Sequence, residues 1–231
     1  MKLYQYAEKL DVAKYQEIQV DRSESKFSYC RVSILDAFII RTILFNNGFS
    51  NGPFICMGTR NGREMDLFRI ALYHPLLSKL IYLFETRKYG FSSLFPWIES
   101  WKRSDLEEIS SQGVYGVELN PAADRKDTLI SSFDDLPDYF TNKFEVVYSN
   151  SFDHSLDPEK TAMEWQRIVR PGGFIILHFF EGEVPTYSDP IGDIRRSDLT
   201  ALFKGEVIHH SKCGNFDPTG TSTGLIIKTE Q

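Results

Sequence analysis

Hydrophobic positions along the chain alternate between a helical and a strand-like spacing. Residues 32–46, V-S-I-L-D-A-F-I-I-R-T-I-L-F-N, set Ile34, Leu35, Phe38, Ile39, Thr42, Ile43 and Phe45 mainly on one helical face, and N-N-G-F-S-N-G-P then closes the helix with stop and turn residues. Residues 54–57 are a short apolar run of strand length, and 62–73 return to a helical pattern. The same reading predicts strands at 113–119 (G-V-Y-G-V-E-L) and 144–149 (F-E-V-V-Y-S). It predicts a helix at 160–169, with Ala162, Trp165, Ile168 and Val169 on one stripe, and the strongest strand at 174–179 (F-I-I-L-H-F). Strands that alternate with helices imply a mainly parallel sheet covered on both faces. The tail departs from this: after a short helix at 197–203, E-V-I-H-H-S and G-L-I-I-K-T follow with no room for a crossover helix, so they must pair antiparallel as a hairpin with a long loop.

Two segments fall outside the alternation. Residues 1–31 are polar without a strong period and are expected to pack on the domain, making 1–50 an amino-terminal helical extension. Residues 75–112 are too long for a structureless loop, and their periodicity predicts added helices. They are rich in aromatics (Tyr82, Phe84, Tyr89, Phe91, Phe95, Trp97 and Trp101), which fits a helical hairpin sealing its own small core, a lid, or a surface through which copies of the chain associate. The expectation is one domain spanning 1–231 with these two additions.

Composition narrows the function classes. With a net charge of −6 the chain has no general electrostatic pull toward nucleic acid. Cys30, Cys56 and Cys213 form neither a C-x-x-C pair nor an even framework, and no apolar run reaches membrane-spanning length, so a soluble protein of the cytoplasm is expected. His209 and His210 are adjacent on a predicted strand and point to opposite faces, and no cluster has the spacing of metal ligands.

The candidate chemistry begins at F-I-C-M-G-T-R-N-G-R-E, residues 54–64. Gly58 allows a sharp turn at the end of a strand, Gly62 a close approach of helix and sheet, and the amides of the helix start favour a polar or anionic group. Glu118, at the end of the second main strand, can accept from the vicinal hydroxyls of a ribose. It lies 60 residues after Gly58 (118 − 58), and the aromatic insertion accounts for most of that distance. These two features alone also fit a dinucleotide-dependent oxidoreductase, but G-x-R-x-G lacks the pyrophosphate fingerprint.

S-S-F-D-D-L-P at 131–137, F-E-V-V-Y-S-N-S-F-D-H at 144–154 and R-P-G-G at 170–173 complete the series. In this order, over about residues 53–180, the chain resembles the class I S-adenosylmethionine-dependent methyltransferases, in particular the type 11-like branch that acts on small molecules. The resemblance implies a Rossmann-like α/β fold: a seven-stranded, mostly parallel sheet with an antiparallel last strand and helices on both faces. It implies S-adenosyl-L-methionine as cofactor and a small-molecule acceptor. By position, Met57, Gly58, Thr59, Arg60 and Gly62 would surround the methionine part, Glu118 the ribose hydroxyls and Leu119 the adenine. Ser132 and Phe133 would meet the adenine edge, and Ser149 and Asn150 the methionine end that faces the acceptor.

Three positions depart from the family pattern. Cys56 stands where an acid usually helps to bind the cofactor's amino group, Arg60 replaces a glycine, and Ser132 replaces an adenine-binding Asp. Arg60 meets the cofactor carboxylate, pairs with Glu64 one helical turn on, or points to solvent. These departures leave a non-catalytic binding or regulatory relative as the alternative. His154 is a candidate general base with a scaffold role as its alternative, and Asp153 is a candidate base or a helix cap.

Overall fold

The computed structural model describes residues 1–6, 12–25, 30–76, 109–110, 112–123, 125–212 and 222–230. The core of the expected helical insertion and the long hairpin loop lie outside these residues. Chain order is β1 (Lys2–Leu3), α1 (Val12–Ser25), α2 (Ile34–Asn46), β2 (Phe54–Met57), α3 (Arg63–Tyr73), β3 (Val114–Glu118), β4 (Thr128–Ile130) and β5 (Phe144–Ser149). There follow α4 (Pro158–Ile168), β6 (Val169–Phe180), β7 (Ile191–Gly192), α5 (Arg196–Leu202), β8 (Glu206–Lys212) and β9 (Ser222–Lys228).

Seven strands form one sheet in the order β4-β3-β2-β5-β6-β9-β8. Neighbours from β4 to β6 run parallel, whereas β9 runs antiparallel to both β6 and β8. The mostly parallel sheet with an antiparallel last strand is therefore as expected. Every residue of β2, β3 and β5 is buried, as strands covered on both faces require. Their alternate side chains supply two cores. Phe54, Cys56 and Tyr148 pack with Ile34, Ile40, Leu44 and Phe68 beneath α2 and α3. Ile55, Met57 and Val147 pack with Phe152, Trp165 and Phe203 beneath α4 and α5.

Local chemistry sets the helix starts. The Asp36 N–H donates to Ser33 Oγ at 3.1 Å and the Ser33 N–H to Asp36 Oδ2 at 2.9 Å, a reciprocal cap for α2. Asp157 accepts from the Lys160 N–H at 3.0 Å and Pro158 opens α4, where a missing N–H costs nothing. Three features differ from the expectation. R-P-G-G lies inside β6 rather than before it, β4 is a strand of only three residues, and β1 pairs with β7 through Lys2–Gly192 and Leu3–Ile191.

A buried charge cluster ties α3 to the turn before β4. Arg69 donates to Asp66 Oδ1 at 2.7 Å, to Asp127 Oδ2 at 2.8 Å and to the Val114 carbonyl at 2.7 Å. Arg125 donates to Asp127 Oδ1 at 2.9 Å, to Asp66 Oδ1 at 2.8 Å and to the Asn61 carbonyl at 3.2 Å. Burial pushes the Asp127 carboxyl up, but the Arg125 hydrogen bond, with the charges of Arg125 and Arg69, holds it below the usual carboxylate range. The cluster fixes the 58–62 turn from beneath.

Candidate functional site

Because β2 pairs with β3 on one side and β5 on the other, successive connections leave the sheet in opposite directions there, opening a crevice at the strands' carboxyl ends. The turn that follows β2 is built for close approach. Gly58 has φ +73°, and a Cβ on it would lie 2.8 Å from the Ser151 side chain. Gly62 has φ +74°, and a Cβ there would meet the Arg125 guanidinium at 2.7 Å. Between them Arg60 has φ +54°, the backbone conformation that a glycine adopts without strain. Its N–H donates to Glu118 Oε2 at 2.5 Å. Arg60→Gly is therefore expected to leave stability unchanged or raise it by up to about 1 kcal/mol, and Arg60→Val to lower it by about 1–2 kcal/mol, measured by urea denaturation.

The crevice holds a cleft and a polar chamber that share Arg22, Gly58, Arg60, Ser151 and His154 in their walls, with about 1010 Å³ and 950 Å³ of empty space including their mouths. Glu118, Leu119, Ser132, Phe133, Asp134 and Lys160 line the cleft. Glu118 is fixed: Oε1 accepts from the N–H groups of Leu119 at 3.0 Å and Asn120 at 3.1 Å, and Oε2 from Arg60. A carboxylate has about four acceptor positions, so roughly one remains for a ligand. Ser132 Oγ donates to Asp134 Oδ1 at 2.5 Å, placing a carboxylate where the sequence offered only a hydroxyl. The second signal was present in S-S-F-D-D-L-P, two residues further along.

The chamber is lined by Asn150, Asp153, Glu64, Arg31, Glu183 and Asp189 among others. His154 Nε2 lies 3.0 Å from Asp189 Oδ1 and 3.8 Å from Asp153 Oδ1. Burial raises the Asp153 carboxyl, partly offset by His154. The Asp189 carboxyl, although burial pushes it up, is held low by His154 and Arg22, whose Nη1 is 2.5 Å away. Helix α1 spans the opening: Tyr15 donates to the His154 carbonyl at 2.5 Å and Gln19 to the Ser188 carbonyl at 2.6 Å. Tyr15, Gln19, Arg22 and Asp189 were not foreseen, since nothing in their sequence neighbourhood couples them to residues more than a hundred positions away.

Of the residues expected from sequence, Gly58, Arg60, Glu118, Leu119, Ser132 and Phe133 line the cleft, and Asn150, Asp153 and His154 the chamber. Four others do not line either space. Met57 is in the core beneath α4 and α5, and Thr59 is fully buried, because strand alternation and the turn direct them inward. Gly62 packs on Arg125, and Ser149 is buried with its hydroxyl donating to the Met57 carbonyl at 3.2 Å. Two amides at the entry to α3 are satisfied locally rather than kept for an anion: Gly62 donates to the Thr59 carbonyl at 2.8 Å and Arg63 to Asn61 Oδ1 at 3.0 Å.

A family model described as a methyltransferase domain matches residues 104–177. Among solved structures, the Burkholderia thailandensis 1,6-didemethyltoxoflavin-N1-methyltransferase, with 1,6-didemethyltoxoflavin and S-adenosylhomocysteine bound, is similar with a TM-score of 0.61. The two are 11% identical over 98% of this chain and 94% of that one. The putative methyltransferase complexed with the Trm112 methyltransferase activator of Haloferax volcanii gives 0.53, at 13% identity over 94% of this chain and 98% of that one. No curated protein sequence matches.

Proposed function

We propose that this chain, whose fold is that of the class I S-adenosylmethionine-dependent methyltransferases, transfers a methyl group to a small-molecule acceptor. The observation that carries the reading is the continuity of the cleft past Gly58 and Ser151 into a chamber that holds His154 and Asp189. The donor set fits the cofactor. Glu118 keeps roughly one acceptor position for a ribose hydroxyl, Leu119 and Phe133 offer apolar contact to adenine, and Ser132 with Asp134 offers acceptors for its amino group. When bound, S-adenosylmethionine supplies a methyl group on a positively charged sulfur.

The protein's part is then positioning and proton removal. Ser151 and Gly58 form the neck where donor and acceptor would meet, with Asn150 on its chamber side. His154 takes the proton of an acceptor O–H or N–H, and Asp189, itself held by Arg22, stabilises the imidazolium that forms. Among the described residues no helix is long and apolar enough to cross a membrane.

The test is direct. S-adenosylhomocysteine at about a hundred times its dissociation constant should add about 2.7 kcal/mol of stability, a rise in melting temperature of about 5–10 °C for a chain of this size, with NAD giving none. With labelled S-adenosylmethionine and a panel of phenols and ring N–H heterocycles, His154→Gln should lose about a hundredfold or more in turnover at neutral pH while retaining cofactor affinity. A shift with NAD alone would point to an oxidoreductase. Cofactor binding without transfer to any acceptor would point to a binding protein.

A further inference from the structure

Glu64 stands in the first turn of α3, only 4% exposed, and lines the polar chamber. Its carboxylate has weak company: the Cys30 thiol lies 3.9 Å from Oε2, and its own backbone N–H is a further donor. The groups that face it are Arg60 and Asp66 from the same turn and helix, Glu118 from β3, Cys56 from β2, Tyr148 from β5 and Cys30 from the segment before α2. Arg60 and Arg31 share its chamber, with Asp153, His154, Glu183 and Asp189 on the other walls. Burial pushes the Glu64 carboxyl up to about 7, against its own N–H and the charge of Arg60. A group in that position gains most from a cation brought to it by a ligand.

The amino-acid end of S-adenosylmethionine is such a ligand, carrying an ammonium and a carboxylate at neutral pH. The chamber presents the complementary pair, one carboxyl and one guanidinium four residues apart across the start of α3. Deepening the cofactor reading above, on which it rests, we propose that Glu64 receives the ammonium of the bound cofactor and Arg60 faces its carboxylate. The acid is then supplied by the helix rather than by β2, where Cys56 stands. Binding the ammonium ionises Glu64, so a proton leaves as the cofactor enters.

Calorimetric titration of the full chain with S-adenosylhomocysteine and with 5′-methylthioadenosine, which lacks the amino-acid end, separates the possibilities. In the wild type, S-adenosylhomocysteine affinity should rise about tenfold between pH 6 and 8. About half a proton should be released per site at pH 7, read from two buffers of different ionisation enthalpy. Methylthioadenosine should show neither effect. Glu64→Gln should abolish the pH dependence and weaken S-adenosylhomocysteine about tenfold or more at pH 8, leaving methylthioadenosine within about twofold. A pH-independent wild type that binds both ligands overturns the Glu64 assignment alone, as does a variant that weakens both ligands equally. Failure of the wild type to bind either ligand overturns the cofactor reading and the assignment with it. The wild-type measurements stand without the variant, so poor folding of Glu64→Gln leaves the decision intact.

Discussion

Asp127→Ala is expected to cost about 3–5 kcal/mol of stability, because it strips a fully buried carboxylate from between two arginines that have little access to water. Arg69 and Arg125 would be left to share Asp66, and one guanidinium would lose its compensating charge. For a chain of this size the loss corresponds to a fall in melting temperature of about 10 °C or more, measurable by calorimetry. The effect depends on pH in a defined direction. The folded-state pKa of Asp127 is below its unfolded value, so its contribution is present above the unfolded pKa and lost as pH falls through the folded one. The wild type and the variant should therefore converge in stability toward strongly acid pH. Since Arg125 also holds the Asn61 carbonyl, the variant should loosen the turn after β2 and weaken S-adenosylhomocysteine binding as a secondary effect.

Glu118→Ala is expected to weaken S-adenosylhomocysteine about a hundredfold or more in equilibrium titration. Two losses combine: the remaining acceptor position for a ribose hydroxyl, worth about 1.5–3 kcal/mol as a charged hydrogen bond, and the carboxylate that organises the Arg60, Leu119 and Asn120 amides. Methylthioadenosine keeps the ribose, so it should weaken to the same degree, which is the opposite of the pattern expected for Glu64→Gln. Glu118→Gln should fall between, retaining one oxygen for backbone donors but presenting N–H groups where the other oxygen accepts. An unchanged affinity for both ligands in Glu118→Ala would remove this residue from the site.

Much of the sheet was legible because its central strands are buried on both faces, so that F-I-C-M is an unbroken apolar run and F-E-V-V-Y-S a mostly apolar one, with limits that coincide with β2 and β5. β4 was not legible: T-L-I is too short for a period and is held by its neighbour β3, through Gly116–Thr128 to Glu118–Ile130. Helix α1 is mostly polar and, among its described side chains, is buried through Tyr15 and Gln19, which bond to loops far along the chain. The site divided in the same way. Gly58 and Glu118 could be read because turn geometry and strand ends demand particular residues at particular places. Thr59 and Ser149 were placed near the ligand by position, yet their side chains turn inward, a matter of orientation that spacing does not carry.

By itself the sequence determined the order of the central strands and helices, the reversal of direction in the last hairpin, and the places of Gly58 and Glu118 after β2 and at the end of β3. These follow from local periodicity, from the conformations open to glycine and from connection lengths. Only the tertiary structure decided that Arg60 occupies a left-handed turn, that Asp189 and Arg22 reach His154, and that Asp66, Arg69, Arg125 and Asp127 form one buried cluster. It also decided that Glu64 is enclosed, so that burial pushes its carboxyl above the usual carboxylate range. The physical reason is common to the last three. Burial, ion pairing and shifted acidity depend on distances between segments, and those distances exist only once the sheet has brought the segments together.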